Sequence, residues 1–461
     1  MNRKRSLVAG LVPLLIVAIL PAPESMSDKS WLTAGLALMM AIWWLTEPLP
    51  LAVTALLPLA IAPVLGLSKL GDVATSYSHP VVVLFLGGFL LAKAIEKSGL
   101  HHRLAHSLLG FAGNNPRHVL GAIMLSTAFL SLWISNTSSA MVMAPIAAAI
   151  ARTQVRRPDF ASALMLAVAF SATIGGMGSL IGTPPNAIFA AYVSETYGVT
   201  IGFAEWAAVG IPVAAILLGV AWLALAHFQP GFSGDNLAKT FATDLGAMSV
   251  GEKRVALIAG LTAIAWVCRP LVNATYPELM LTDAGIAIIA AIALFLITDG
   301  SDTRLLDWEA AQSLRWDVLI LFGGGLALAA LLDGSGLALW IGGVTEGLRF
   351  LPTFALLLAI AAIIVYVGEL ASNTAMAAIF LPIAGAVATS LELDPVIFMF
   401  PVALSSSIGF MLPVATPPNA IVFGDPAVSR STMLRAGAPL DVIGLLIAVG
   451  VSALLTPLFF G

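Results

Sequence analysis

The sequence predicts an all-α polytopic membrane protein built from inverted structural repeats, with about 11 transmembrane helices and two re-entrant hairpins. Three observations predict it. Of 461 residues, 59% are hydrophobic and only 10% charged, against roughly 25% charged in an ordinary soluble domain. Apolar runs near the roughly 20 residues needed to cross a bilayer recur along the chain. A Ser-Asn-Thr tripeptide appears twice, each time inside an apolar stretch, as Ser135-Asn136-Thr137 and Ser372-Asn373-Thr374. With no dyad-period strands of an outer-membrane barrel, the helix is the remaining way to satisfy the backbone in lipid.

The expected spans are 7–20, 31–46, 50–66, 80–97, 160–182, 205–226, 254–272, 283–298, 317–332 and 437–459. Arg3, Lys4 and Arg5 precede the first of them. That layout also fits a signal peptide, but a retained first span has the same basic flank. Positive charge marks the cytoplasmic side, so the amino terminus is expected inside. Counting forward, the run 80–97 should end inside, and Lys93, Lys97 and Arg103 lie there, followed by Arg117. The next stretch, 118–151, is flanked by Arg117 and by Arg152, Arg156 and Arg157. Both its ends therefore belong on one side. Each limb is short for a span, so the stretch reads as a re-entrant hairpin with Ser-Asn-Thr at its tip, shielded from lipid.

A second hairpin is expected over 351–391, flanked by Glu346, Arg349, Glu392 and Asp394. The segments before the hairpins are kin: "LFLGGFLLAKAIEKSGL" (84–100) aligns with "LFGGGLALAALLDGSGL" (321–337), and the tripeptides keep the same separation. An odd number of crossings lies between the copies, which turns the second upside down. Inverted repeats with interrupted helices mark secondary transporters, whose sites lie where the repeats meet. The chain accordingly divides into a first span and loop (1–30), a first repeat (31–230) with hairpin 118–151 and broken helix 160–197, a cytoplasmic linker (231–253), and a second repeat (254–461) with hairpin 351–391 and broken helix 395–423.

Each hairpin is followed by another shared signature, "LIGTPPNAIF" (180–189) and "PVATPPNAIV" (413–422). Pro-Pro removes two amide donors and disfavours helix just before it, so both helices must break there. Gly175, Gly176, Gly178 and Gly182 loosen the first break further. These glycines lack the strand and spacing of a dinucleotide fingerprint. A broken helix exposes free carbonyls on one side and free amides on the other. Carbonyls with the amide oxygens of Asn136 and Asn373 suit a small monovalent cation. Amides at a helix start, with the hydroxyls of Thr137, Thr374, Thr183 and Thr416, suit an anion. No Arg or Lys lies within these motifs, so co-bound cations are expected to balance the anion.

The remaining residues set limits. A lone cysteine, Cys268, permits neither an internal disulfide nor a cysteine metal cluster, and a net charge of −4 gives no nucleic-acid footprint. An intramembrane protease would need a His beside a Ser, or two facing Asp, at membrane depth, and neither arrangement is readable. Inverted repeats and occluding hairpins count against a channel. Glu369, four residues before Asn373, reads either as a proton site or as a structural part of the hairpin. Glu47 reads as the cap of a turn, the histidines as interfacial residues between segments, and Trp43 and Trp44 as an aromatic belt.

The paired tripeptides and paired Thr-Pro breaks, in this order and at this chain length, resemble the divalent anion:sodium symporters, over about residues 31 to 459. The resemblance implies a homodimer in the bacterial inner membrane whose transport part moves as an elevator against a scaffold. It implies two sodium sites: one at Asn136 with carbonyls near Ser131, Ser135 and Gly182, the other at Asn373 with carbonyls near Gly368, Ala371 and Ala415. It implies that substrate carboxylates meet Asn136, Thr137, Asn373 and Thr374 together with Thr183, Pro184, Thr416 and Pro417. "GELA" before Ser372 departs from the bulkier residue usual there. Sodium-independent exchangers of the family put basic side chains at these places. None is present here, so symport of sodium with a C4 dicarboxylate is the expectation, with citrate, sulfate and phosphate as the alternatives.

Overall fold

A computed structural model describes residues 3–460 except 111, 112, 114, 153–157, 229–245, 346 and 348. Arg156, Arg157 and Glu346, and residues 231–245 of the expected linker, lie outside the described residues. All regular structure described is helical, and the single extended pairing among these residues is an isolated antiparallel bridge between Thr298 and Arg304.

The chain opens with α1 (Arg3–Ile19) and α2 (Asp28–Thr46), packed on one another. The Ser27 hydroxyl caps α2 by accepting from the Ser30 amide, and Glu47 ends it in the left-handed region at φ 45°. Trp43 and Trp44 point inward: both are buried, and their indole nitrogens donate to the carbonyls of Leu7 and Leu51. The expected aromatic belt is therefore a packing pair, because each ring is buried and its indole nitrogen finds a backbone acceptor within the protein. Short helices α3 (Leu51–Thr54), α4 (Leu57–Val64) and α5 (Leu70–Thr75) lead to the first long series.

That series is α6 (Pro80–Ser98), α7 (Leu100–Gly110), α8 (Pro116–Ser131), α9 (Asn136–Arg152), α10 (Pro158–Met177), α11 (Pro184–Tyr197) and α12 (Phe203–Phe228). After α13 (Val250–Thr275), α14 (Asp283–Leu296) and α15 (Trp308–Gln312), a second series follows in the same order. It comprises α16 (Trp316–Ser335), α17 (Leu337–Thr345), α18 (Thr353–Gly368), α19 (Asn373–Ser390), α20 (Pro395–Ser405), α21 (Pro417–Phe423) and α22 (Arg430–Phe460). The likeness reaches the caps. Gly99 and Gly336 end α6 and α16 in the left-handed region, at φ 76° and 82°, and each releases a short helix that turns away. Helices α7 and α17 were absent from the expected spans. "LHHRLAHSLLG" is amphipathic and too polar to register as a membrane run, and α17 is only nine residues long. The three histidines of α7 consequently ride on a helix, with His101 buried against the Ile95 carbonyl.

Among the described residues seven helices are long and apolar enough to cross a membrane, with shorter apolar helices at 51–64, α14, α18 and α20. These long and shorter apolar helices together agree with the expected polytopic all-α membrane protein. Helices α8–α12 and α18–α22 interlock: α10 packs on α8, α9 and α21, α11 packs on α19 and α20, and α12 packs on α22. Helices α1 and α2 pack on one another, as do α6, α13 and α14, while α16 bridges the two parts, packing on α2 and α6 and also on α11 and α19. An ion-pair knot ties α13 to its neighbours, with Arg269 2.7 Å from both Glu205 and Asp283. Gly202 has no room for a Cβ there, which would collide with all three side chains.

Candidate functional site

Both tripeptides lie at a helix start. The limb α8 ends at Ser131 and α9 begins at Asn136, while α18 ends at Gly368 and α19 begins at Asn373. In the first hairpin the Ser135 hydroxyl accepts from the Ser138 amide and so caps α9. In the second, Ser372 makes no such side-chain cap. Asn136, Thr137, Asn373 and Thr374 are half-buried, as expected of side chains at the rim of an accessible site.

The Asn136 amide ends in a cage of oxygens. Ser131 Oγ lies 2.7 Å from Asn136 Oδ1 and 2.6 Å from the Ala172 carbonyl. The Gly182 carbonyl completes the set: with the amide's oxygen and nitrogen exchanged, Nδ2 would donate to Ser131 Oγ at 2.7 Å, Ala172 O at 3.1 Å and Gly182 O at 3.3 Å. With the oxygen inward, Asn136 Oδ1, Ser131 Oγ and the carbonyls of Ala172 and Gly182 face one another with the Ser131 hydroxyl as the side-chain donor among them. That arrangement is unfavourable on its own and is what a bound cation relieves, since hard monovalent cations take oxygen ligands. Gly176 makes the cage possible, because a Cβ there would fall on the Asn136 amide. Of the residues expected around the first sodium, Ser131, Asn136 and Gly182 come together. The Ser135 hydroxyl is turned to its own helix, and its carbonyl accepts from the Ser139 amide. The Ala172 carbonyl is an addition that no sequence motif marks.

The second site is built in parallel with different chemistry. Asn373 Oδ1 is buried and has no hydrogen-bond partner, an orphaned acceptor suited to a cation. Gly368 and Ala371 belong to the hairpin turn, where the Ala371 amide donates to the Gly368 carbonyl at 3.1 Å. Ala415 lies across from it: a Cβ on Gly409 would sit 3.3 Å from the Ala415 Cβ and 3.7 Å from Glu369 Oε1. The tip and the break are thus neighbours. Glu369 holds them so, accepting from the Met411 amide at 3.0 Å and the Leu412 amide at 2.8 Å. Asp441 of α22 takes the adjoining Phe410 amide at 2.9 Å. Both carboxyls are buried. In the first repeat the corresponding tie is neutral, with the Ser179 hydroxyl donating to the Leu132 carbonyl at 2.7 Å.

The breaks themselves are closed by two asparagines of the shared signatures. Asn186 Nδ2 donates to the carbonyls of Gly176 (3.1 Å) and Ser179 (2.8 Å). Asn419 Nδ2 donates to those of Gly409 (3.1 Å) and Leu412 (2.9 Å). The two sets are equivalent atom for atom. The repeated "PPNA" was the signal for them, although only Thr and Pro of that motif stood among the expected site residues. Thr183 and Thr416 are buried N-caps with extended backbones, Pro184 is half-buried and Pro417 is exposed.

Helices α9, α11 and α19 therefore begin at Asn136, Pro184 and Asn373, and Thr416 caps the short α21, its hydroxyl accepting from the Asn419 amide. The repeats cross here: α11 packs on α19, and α21 packs on α9. Positive helix ends and threonine hydroxyls can take up an anion without a basic side chain. Among the described residues no cluster of three or more His, Cys, Asp or Glu is placed to hold a metal ion, so the oxygen cages are the candidate cation sites.

A family profile described as the sodium:sulfate symporter transmembrane region matches residues 2–460. The sodium-dependent dicarboxylate transporter of Staphylococcus saprophyticus is 34% identical over 478 residues, spanning 99% of this chain and 92% of that one. Its counterpart from Staphylococcus aureus strain USA300 is 35% identical over 477 residues, spanning 99% and 91%. Among solved structures, the YdaH transporter of Alcanivorax borkumensis, described as having an unusual topology, matches 84% of this chain and 88% of its own with a TM-score of 0.63 and 16% identity. That likeness concerns the fold alone.

Proposed function

The chain belongs to the sodium:sulfate symporter family, and from that premise we propose that it is a secondary transporter coupling sodium influx to uptake of a C4 dicarboxylate such as succinate, malate or fumarate. The observation that carries this reading is the oxygen cage at Asn136, repeated as the orphaned Asn373 oxygen in the second hairpin. Sodium is proposed at the first site on Asn136 and the oxygens of Ser131, Ser135 and Gly182. At the second it is proposed on Asn373 and those of Gly368, Ala371 and Ala415. The substrate carboxylates are proposed to meet Asn136, Thr137, Asn373 and Thr374, with Thr183, Pro184, Thr416 and Pro417 around them. The relatives named sodium-dependent dicarboxylate transporters, similar over nearly their whole length, support the choice of substrate and ion.

The coupling has a direct physical origin. Three helix ends carry partial positive charge, but desolvating a dianion against them alone is costly. Two sodium ions beside it supply full charges. Conversely, an oxygen cage draws a cation more strongly once an anion is adjacent, so each ligand raises the affinity of the other. The same reading places the chain in a bacterial inner membrane with its amino terminus inside, as a homodimer. The interlocked α8–α12 and α18–α22 move as one transport part against the helices grouped around α2, α6 and α16. The repeats are oppositely oriented across the membrane.

Uptake of radiolabelled succinate by proteoliposomes tests the function. An inward sodium gradient should drive it electrogenically, and equal uptake with choline or potassium in place of sodium would refute symport. The description of the family names sulfate, which favours an inorganic divalent anion as the second reading. Unlabelled sulfate that competes as well as unlabelled succinate would establish it.

A further inference from the structure

We propose that the groove between α8 and α12 binds an anionic phospholipid, its acyl chains along the apolar wall and its phosphate held by Arg117 and His118. The groove has a volume of about 660 Å³, within the roughly 300–1,000 Å³ of small-molecule sites. One wall is α8, where Gly121 and Leu125 follow His118 at helical spacing. The other is α12, where Ala215, Leu218, Gly219 and Trp222 recur at intervals of three and four and share a face.

The two glycines do different things. Small residues between membrane helices ordinarily let backbones approach. Gly121 is used in that way, since a Cβ there would sit 3.2 Å from the Trp222 indole nitrogen. Gly219 is not, because a Cβ there would meet nothing within 4 Å. Its missing side chain keeps the groove open. Trp222 is fixed as the end wall by donating to the Arg117 carbonyl at 3.0 Å. Beyond it the lining changes from hydrocarbon to cation. Arg117 and His118 are exposed, and neither side chain has a hydrogen-bond or ion-pair partner among the described residues.

An apolar trough ending in a free guanidinium and an imidazole, with an indole at the boundary, matches an amphiphile with a negative head. Guanidinium pairs with phosphate through parallel hydrogen bonds, tryptophan favours the headgroup level, and basic pockets between membrane helices hold anionic headgroups. A zwitterionic lipid fills the same trough but presents no net charge to Arg117. The bound lipid would touch the limb that carries the first Ser-Asn-Thr at its far end.

Native mass spectrometry of the full chain, purified in detergent and titrated with phosphatidylglycerol or phosphatidylcholine of identical acyl chains, tests this. The parent should retain phosphatidylglycerol preferentially. Arg117→Ala should weaken that retention on the order of tenfold and abolish the preference, and Gly219→Leu should lose both lipids by filling the trough. Gly260→Leu on α13, also with nothing within 4 Å of its Cβ, should behave as the parent. If Gly219→Leu does not fold, Gly219→Val takes its place. Equal retention of the two lipids by the parent, unchanged retention in Gly219→Leu, or displacement of phosphatidylglycerol by glycerol phosphate would overturn the proposal. None of these readings depends on transport, so they stand apart from the test of the proposed function.

Discussion

Gly176 and Asn136 define the site at the scale of single residues. A methyl group at Gly176 falls on the Asn136 amide, so Gly176→Ala should evict the amide oxygen from the cage while leaving the hairpin helices intact. Asn136→Ala removes the same oxygen directly. A buried polar partner left unpaired costs about 1–3 kcal/mol, so either variant should weaken sodium binding on the order of tenfold or more. Since coupling is reciprocal, apparent dicarboxylate affinity should fall with it. Thr137→Ala and Thr374→Ala offer a contrast. They should weaken dicarboxylate while the sodium dependence of the remaining binding stays nearly intact. Titration of purified, folded variants with each ligand in turn checks the set, and a Gly176→Ala protein that binds sodium as tightly as the parent would remove the cage from the account.

At the scale of elements, the decisive features are the helix interruptions, and how far they were legible depends on what causes each one. Pro184-Pro185 and Pro417-Pro418 announce a helix start, because two successive prolines fit the first turn, where amides are unpaired anyway, and disfavour helix at the residue before them. Single prolines such as Pro145 and Pro212, by contrast, sit inside continuous helices. The tripeptides were legible because they recur at a fixed separation within apolar sequence. The ties that hold the breaks were not. Glu369 accepts from amides 42 and 43 residues further on, a contact made by folding alone, and Asp441 joins it from α22. Helices α7 and α17 were missed because a short amphipathic helix has neither the length nor the hydropathy of a span, although Gly99 and Gly336, at matching places in the repeat, marked where each begins. The Glu369 clamp is testable as such. Glu369→Ala leaves two part-buried amides without acceptors, at up to about 1–3 kcal/mol each, and should lower the melting temperature. Glu369→Gln keeps one side-chain carbonyl as an acceptor and should recover part of that loss. Equal effects of the two substitutions would assign the stability to something other than these hydrogen bonds.

At the scale of the whole molecule, two series of seven helices in the same order cross at the site, α11 against α19 and α21 against α9. Each helix start is thereby braced by the other repeat, which makes the cation and anion sites a property of the assembled pair. If the repeats are inverted, the hairpins open to opposite sides. In a Cys268→Ser background, required because Cys268 is exposed, Arg117→Cys and Arg152→Cys should both label from the cytoplasm. Arg349→Cys and Asp394→Cys should both label from outside. Labelling of the first pair from opposite faces would make α8 and α9 an ordinary crossing and end the hairpin description. The central claim, that sodium supplies the positive charge this site lacks, is tested most directly by measuring succinate affinity of the purified protein in saturating sodium and again in choline at equal ionic strength. Affinity should be at least tenfold higher in sodium, and the overall binding constant for the two sodium ions should rise by the same factor when succinate saturates. Succinate affinity independent of sodium would contradict the account.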